Sequence, residues 1–185
     1  MKYLILLAIG ISLSAKAFSR QQPIPLVDLI ELVKLGKVKI AQFAKSKGFS
    51  YERYEILPND LIREGGFMDT VWHGEHTAPA PSEDDPPINR TIHYCDHYRR
   101  FGDSKEYVDL RYTTTDFAEY DGMIEWLAAH PEYILDPGSG KYTDGKFAFA
   151  VEDARIKINR MGTGNFIRRY RFRALIRRDY IEGKF

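Results

Sequence analysis

Residues 106–115 read Glu106-Tyr107-Val108-Asp109-Leu110-Arg111-Tyr112-Thr113-Thr114-Thr115. Val108, Leu110 and Tyr112 alternate there with Tyr107, Asp109, Arg111 and Thr113. A strand sends successive side chains to opposite faces. The period of two therefore predicts a half-buried strand with Val108, Leu110 and Tyr112 on the core side. Gly102-Asp103-Ser104 just upstream is turn chemistry, and Thr91–Phe101 before it reads as a second strand. The pair forms a hairpin, so its sheet is antiparallel. Immediately downstream, Asp116 is placed to cap a helix, with Glu119 at the capping-box position. Phe117, Tyr120, Met123, Ile124 and Leu127 are its apolar positions, and Pro131 stops it near His130.

Outward toward the N-terminus, residues 58–90 carry five prolines and the acidic run Ser82-Glu83-Asp84-Asp85. This predicts an exposed loop centred on 77–88, after a short strand around Phe67–His73. Phe49–Leu57 is strand-like. Residues 26–47 have helical apolar spacing, broken at Gly36 and closed at Gly48 in a C-cap position. Toward the C-terminus, Tyr133–Leu135 is a short strand and Pro137-Gly138-Ser139-Gly140 a turn. Lys146–Val151, Ala154–Arg160 and Asn165–Arg177 are three further strands, the last two joined through Gly162-Thr163-Gly164.

The resulting fold class is α+β, with helices packed on a mainly antiparallel, twisted sheet. Lys47-Gly48-Phe49-Ser50-Tyr51 and His130-Pro131-Glu132-Tyr133-Ile134 hold corresponding places in the element order. Residues 18–185 are thus expected to form one domain, divisible into two tandem helix-then-strands units, 24–115 and 116–181. Leu26-Val27-Asp28-Leu29-Ile30-Glu31-Leu32-Val33, followed by a Lys-rich helix closing on Lys47-Gly48-Phe49-Ser50-Tyr51, resembles uncharacterised small secreted proteins of the Bacteroidetes. Their tandem build is similar in outline to the β-lactamase-inhibitor-like fold. The resemblance covers residues 24–55 and brings no catalytic residue with it. It implies a sheet face that binds protein.

Residues 1–17 read as a cleaved secretory signal peptide. Lys2 gives the positive start, Tyr3–Ser14 the apolar stretch, and Ala15-Lys16-Ala17 the small-x-small cleavage site. The expected address is extracytoplasmic, periplasmic or secreted. No other apolar run approaches bilayer length, so no transmembrane helix is expected in the mature chain. Cys95 is the single cysteine, which excludes an intramolecular disulfide. Residues 155–185 hold ten Lys/Arg against two Asp/Glu, whereas 18–154 hold fifteen against twenty-four. The mature chain is an acidic body with a basic end, near neutral in sum. That balance and the expected address argue against nucleic acid as a partner.

Two constellations stand out. In Phe166–Arg177, Arg169, Arg171, Arg173 and Arg177 fall on one strand face, opposite Phe166, Tyr170, Phe172, Ala174 and Ile176. Arg168 and Leu175 break the pattern. Guanidinium forks in such an array suit carboxylates, phosphates or sulfated glycans, or they pair with acids on neighbouring strands. Tyr94, Tyr98 and Tyr112 are candidate aromatic contacts beside them. The leading expectation is a non-catalytic binding module for a protein or an anionic envelope component, working without a cofactor. The alternative uses His73, His76, His93, Cys95 and His97 as zinc ligands, in a metal-binding protein or metal-dependent enzyme. The chain has no Gly-x-Ser-x-Gly elbow. Gly138-Ser139-Gly140-Lys141 lacks the spacing of a phosphate loop. The reading therefore leans away from an enzyme.

Overall fold

The computed structural model describes residues 23–35, 37–54, 66–68, 71–80, 82–83, 85–100, 105–145, 147–160 and 163–177. The expected signal peptide and the joints at 101–104 and 161–162 lie outside the described residues. The elements in chain order are helices α1 (Leu26–Leu35) and α2 (Lys37–Ser46), then strands β1 (Ser50–Tyr54), β2 (Gly66–Met68), β3 (Val71–Ala78), β4 (Ile88–Arg100) and β5 (Glu106–Thr114). Helix α3 (Phe117–Ala129) follows, then β6 (Ile134–Asp136), β7 (Lys141–Thr143), β8 (Ala148–Arg160) and β9 (Thr163–Arg177).

Among the described residues all nine strands form one sheet, in the order β1-β3-β4-β5-β9-β8-β7-β6, with β2 beside the far end of β4. Every pairing is antiparallel. The fold is α+β, helices on an antiparallel sheet. Its order is helix-then-strands twice. The meander ending in β5 meets the meander ending in β9 at the sheet centre, where Leu110 sits opposite Ala174 and Tyr112 opposite Phe172.

The helices lie on the face that carries Ile92, Tyr94, Val108, Leu110, Tyr112, Phe149, Phe172 and Ala174, and these close the core with Leu26, Leu29, Leu32, Val33, Ile40, Met123 and Leu127. Helix α1 rests on β5 and β9, α2 on β1, β3 and β4, and α3 on β5, β8 and β9. Burial of such side chains stabilises by about 1.5–3 kcal/mol each, which is what holds the two layers together. Gly48 adopts φ 79°, the left-handed conformation that ends α2. There its N–H and that of Phe49 reach back to the carbonyls of Lys45 and Ala44.

Four expectations change. The strands expected over 146–151 and 154–160 are one continuous strand from Ala148, β8, because Glu152 sits opposite Arg171 and Asp153 pairs with Arg168, so the acidic pair is compensated rather than looped out. The short strand expected around Phe67–His73 is instead two strands, β2 and β3. β3 runs on to Ala78 and β4 begins at Ile88, leaving Pro79–Pro87 as the connection, most of it exposed. Phe117 does not join the core; it is 57 % exposed, at the rim where α3 begins. Val27, which the helical apolar spacing of residues 26–34 counts with Leu26, Leu29, Ile30 and Val33, likewise faces out.

Candidate functional site

The sheet's other face carries no described helix. Strand register lays a row across it: His73 on β3, His93 on β4, Arg111 on β5, Arg173 on β9 and Ala150 on β8, each opposite the next. A second row holds Glu75, Thr91, Thr113, Arg171 and Glu152. Cys95, Asp109 and Leu175 make a third.

The arginines of β9 take the face their alternation predicts, with Tyr170, Phe172, Ala174 and Ile176 buried behind them. Their partners are acids from neighbouring strands. Arg173 donates from Nε to Asp109 Oδ1 and from Nη2 to Oδ2, both at 3.4 Å. Arg111 grips the same carboxylate harder, from Nη2 at 2.6 Å and Nε at 2.9 Å. Two guanidinium planes thus roof Asp109, which is 3 % exposed although it lies on the helix-free face. Among the described residues Arg171's one ion-pair contact is a long one, to Glu152 at 3.8 Å. Arg169 makes no ion pair with any acid among the described residues and is half-buried opposite Ala154. Arg177 is exposed at the strand end.

Two of the three candidate aromatic contacts lie in the core. Tyr94 and Tyr112 are core residues, because both have the parity of Leu110 rather than that of Arg111. The side chains of Tyr98 and His97 lie outside the described residues. The register of β4 against β5 shifts between Cys95 and Tyr98.

The histidine group divides between the two faces. His73 and His93 are directly opposite each other on the helix-free face, with Nδ1 to Nδ1 at 3.4 Å and ring centroids 4.3 Å apart. Glu75 Oε1 lies 2.8 Å from His73 Nε2. Cys95 is on the same face but buried. His76, three residues after His73, necessarily points the other way, against Phe49 at 5.6 Å between centroids. Its imidazole pKa is lowered, first by burial and then by the charge of Arg90 opposite it. Among the described residues no three His, Cys, Asp or Glu side chains converge to hold a metal.

Sequence reasoning missed a buried ionic cluster on the core side. Arg90 Nε donates to Glu119 Oε1 at 2.5 Å, and the Tyr112 hydroxyl donates to Oε2 at 2.6 Å. Asp116 stands 3.7 Å from Arg90 Nη2. Glu119 is therefore not the second half of a capping box. The Asp116 N–H is instead satisfied by Thr114 Oγ1, while Asp116 Oδ1 caps the N–H of Ala118. That leaves the Glu119 carboxylate for the sheet. Burial pushes the Tyr112 hydroxyl well above the ordinary tyrosine pKa, and the Glu119 charge adds to it. The available signal was Arg90 at the parity of Ile92 and Tyr94, a charge on the core side of β4. Comparison with known protein families, curated proteins and solved structures gives no match for this chain.

Proposed function

We propose that this protein is an extracytoplasmic, non-catalytic binding module that docks an anionic partner, a protein or an envelope component, on the helix-free face of its sheet. The observation that carries the reading is the state of the β9 arginines. Among the described residues Arg169 has no acidic partner, and Arg171, with a side chain 33 % exposed, has a single 3.8 Å ion-pair contact, to Glu152. Guanidinium groups so placed can turn to a carboxylate, phosphate or sulfate with little to give up, since an exposed ion pair is worth about 0–1 kcal/mol. Arg173 and Arg111 have another part. Asp109 holds them flat, so they stiffen the strip and leave it net positive by one charge across those three side chains. The signal peptide expected at residues 1–17 supports the address. The outline likeness to the β-lactamase-inhibitor-like build, in which the sheet face binds protein, supports the choice of surface.

The test is retention on a sulfated polysaccharide matrix and on vesicles containing anionic lipid, at low and moderate salt, for the parent and an Arg169→Ser/Arg171→Ser variant. Salt-sensitive retention by the parent, lost in the variant, supports the reading. Absence of retention at low salt, or equal retention of both proteins, defeats it.

A further inference from the structure

Resting on the anion-docking surface proposed above, we infer that its ligand is an acidic polysaccharide, a hydroxyl-rich chain with carboxylate or sulfate groups at intervals. What surrounds the two β9 arginines decides the class. Opposite Arg171 on β5 stands Thr113, and opposite Thr113 on β4 stands Thr91, both half-buried. Two residues before Thr91 on the same face, Asn89 sits opposite Thr77 of β3. Both of these side chains are exposed, and Thr77 Oγ1 donates to Asn89 Oδ1 at 3.0 Å. Neighbouring strands lie about 4.8 Å apart, and same-face residues along one strand about 6.8 Å. Arg169 and Arg171 therefore border a field of small hydroxyl and amide groups that runs roughly 10 Å across the sheet from Arg171 to Thr91. The row through Arg171 ends in an exposed acid on each side, Glu75 on β3 and Glu152 on β8.

Each of these groups has a counterpart on a sugar chain. Guanidinium forks take a carboxylate or sulfate through paired hydrogen bonds. Threonine hydroxyls both donate and accept, as sugar hydroxyls do. Carboxylates only accept, so Glu75 and Glu152 can receive O–H donors, which sugars supply and a chain of phosphates or ionised acidic side chains does not. The same two acids repel a chain that is charged at every position. The fit is to sparse charge on a polyol.

Two other classes of anionic partner fit less well. A protein interface centres on apolar and aromatic anchors. The exposed large apolar side chains among the described residues, Val27, Phe117, Ile134 and Leu135, all lie outside these rows. An anionic bilayer is gripped by clusters of about four to eight Lys and Arg. On this face Asp109 holds Arg111 and Arg173, and Arg171 has Glu152 beside it. The cations are too few and too closely flanked by acids for a charged lipid surface.

The experiment titrates the full protein at low salt with polygalacturonate, its carboxyl-reduced form, a sulfated polysaccharide, poly-glutamate of matched charge, and vesicles containing anionic lipid. At least one of the two acidic polysaccharides is expected to bind about tenfold more tightly than poly-glutamate or the vesicles, and the tighter of the two identifies the acid group that the arginines hold. Carboxyl reduction, or Arg169→Ser/Arg171→Ser, should weaken polysaccharide binding by about tenfold or more, the loss expected when charged hydrogen bonds go. Thr91→Val/Thr113→Val should weaken it by about fivefold and leave poly-glutamate binding unchanged. Methyl resonances of Thr91 and Thr113 in the parent should shift during the polysaccharide titration, a readout that depends on no variant folding. Poly-glutamate or vesicles bound as tightly as both polysaccharides would overturn the polysaccharide assignment and leave the anion-docking surface standing. Polysaccharide binding that leaves the Thr91 and Thr113 resonances unmoved would overturn it as well. No binding of any of these polyanions would defeat the surface itself, and the assignment with it.

Discussion

Glu119 and Asp109 are each 3 % exposed, and each is held by arginine, on opposite sides of β5. The likeness stops there. Arg90 is as buried as its carboxylate, so the Glu119 cluster removes both charges from water and ties α3 to the sheet. Asp109 is buried beneath Arg111 and Arg173, whose outer edges stay wet. A fully desolvated pair is costly to break because the survivor has nowhere to go. A roofed carboxylate is cheaper to lose, since its arginines can turn to solvent. The first arrangement joins elements. The second props up a surface.

Glu119→Ala should show the largest effect. It strands Arg90 without its main counter-charge, at a cost of about 3–5 kcal/mol in urea unfolding. A loss under about 1 kcal/mol would mean that apolar packing alone seats α3. Tyr112→Phe tests the same cluster more gently. It removes one hydrogen bond to a buried carboxylate and should cost about 1.5–3 kcal/mol. Asp109→Ala should cost roughly 1–2 kcal/mol, because it leaves two arginines side by side but able to hydrate. If Asp109→Ala proved as damaging as Glu119→Ala, the distinction between the two faces would collapse. Arg171→Ser should change stability by less than about 0.5 kcal/mol while reducing polyanion retention, which would separate a gripping arginine from a bracing one.

The same contrast explains what could be seen from the sequence. Alternation in 106–115 and 166–177 assigns each residue to a face, and over the described side chains of 106–115 and 168–177 the faces came out as the period of two demands. The turn at Gly48 and the cap at Asp116 follow from backbone chemistry local to those residues. What escaped needs long-range register. That His73 meets His93, and that Arg111 and Arg173 share Asp109, depends on which strands become neighbours. Tyr94 and Tyr112 were misplaced as contacts for a simpler reason: tyrosine chemistry was given more weight than the parity already assigned to Val108 and Leu110. Glu119 was read as a cap because the capping-box spacing is local. Thr114, two residues before Asp116, satisfies the N–H that Glu119 would have taken.

His76 offers the finest test of the comparison, because it senses the core-side cluster from its edge. Its ring packs on Phe49, its register partner is Arg90, and its Nδ1 is buried without a hydrogen-bond partner among the described residues. Burial first, and the Arg90 charge second, hold its pKa below 6.5 in the folded protein. The unfolded chain, with an ordinary imidazole near 6.5, therefore binds more protons as the pH falls below that value. The contribution to stability is present above pH 6.5 and is lost progressively as the pH drops from there through the folded pKa. Urea midpoints should fall with acidity across that window, and His76→Gln should flatten the part of the slope that it causes. The Glu119→Gln variant sharpens the point. With its carboxylate neutralised, Arg90 would act on His76 with less compensation, and the imidazole should titrate lower still in an NMR pH series. An upward movement would show that His76 answers to another charge, and that the buried cluster ends before it reaches β3.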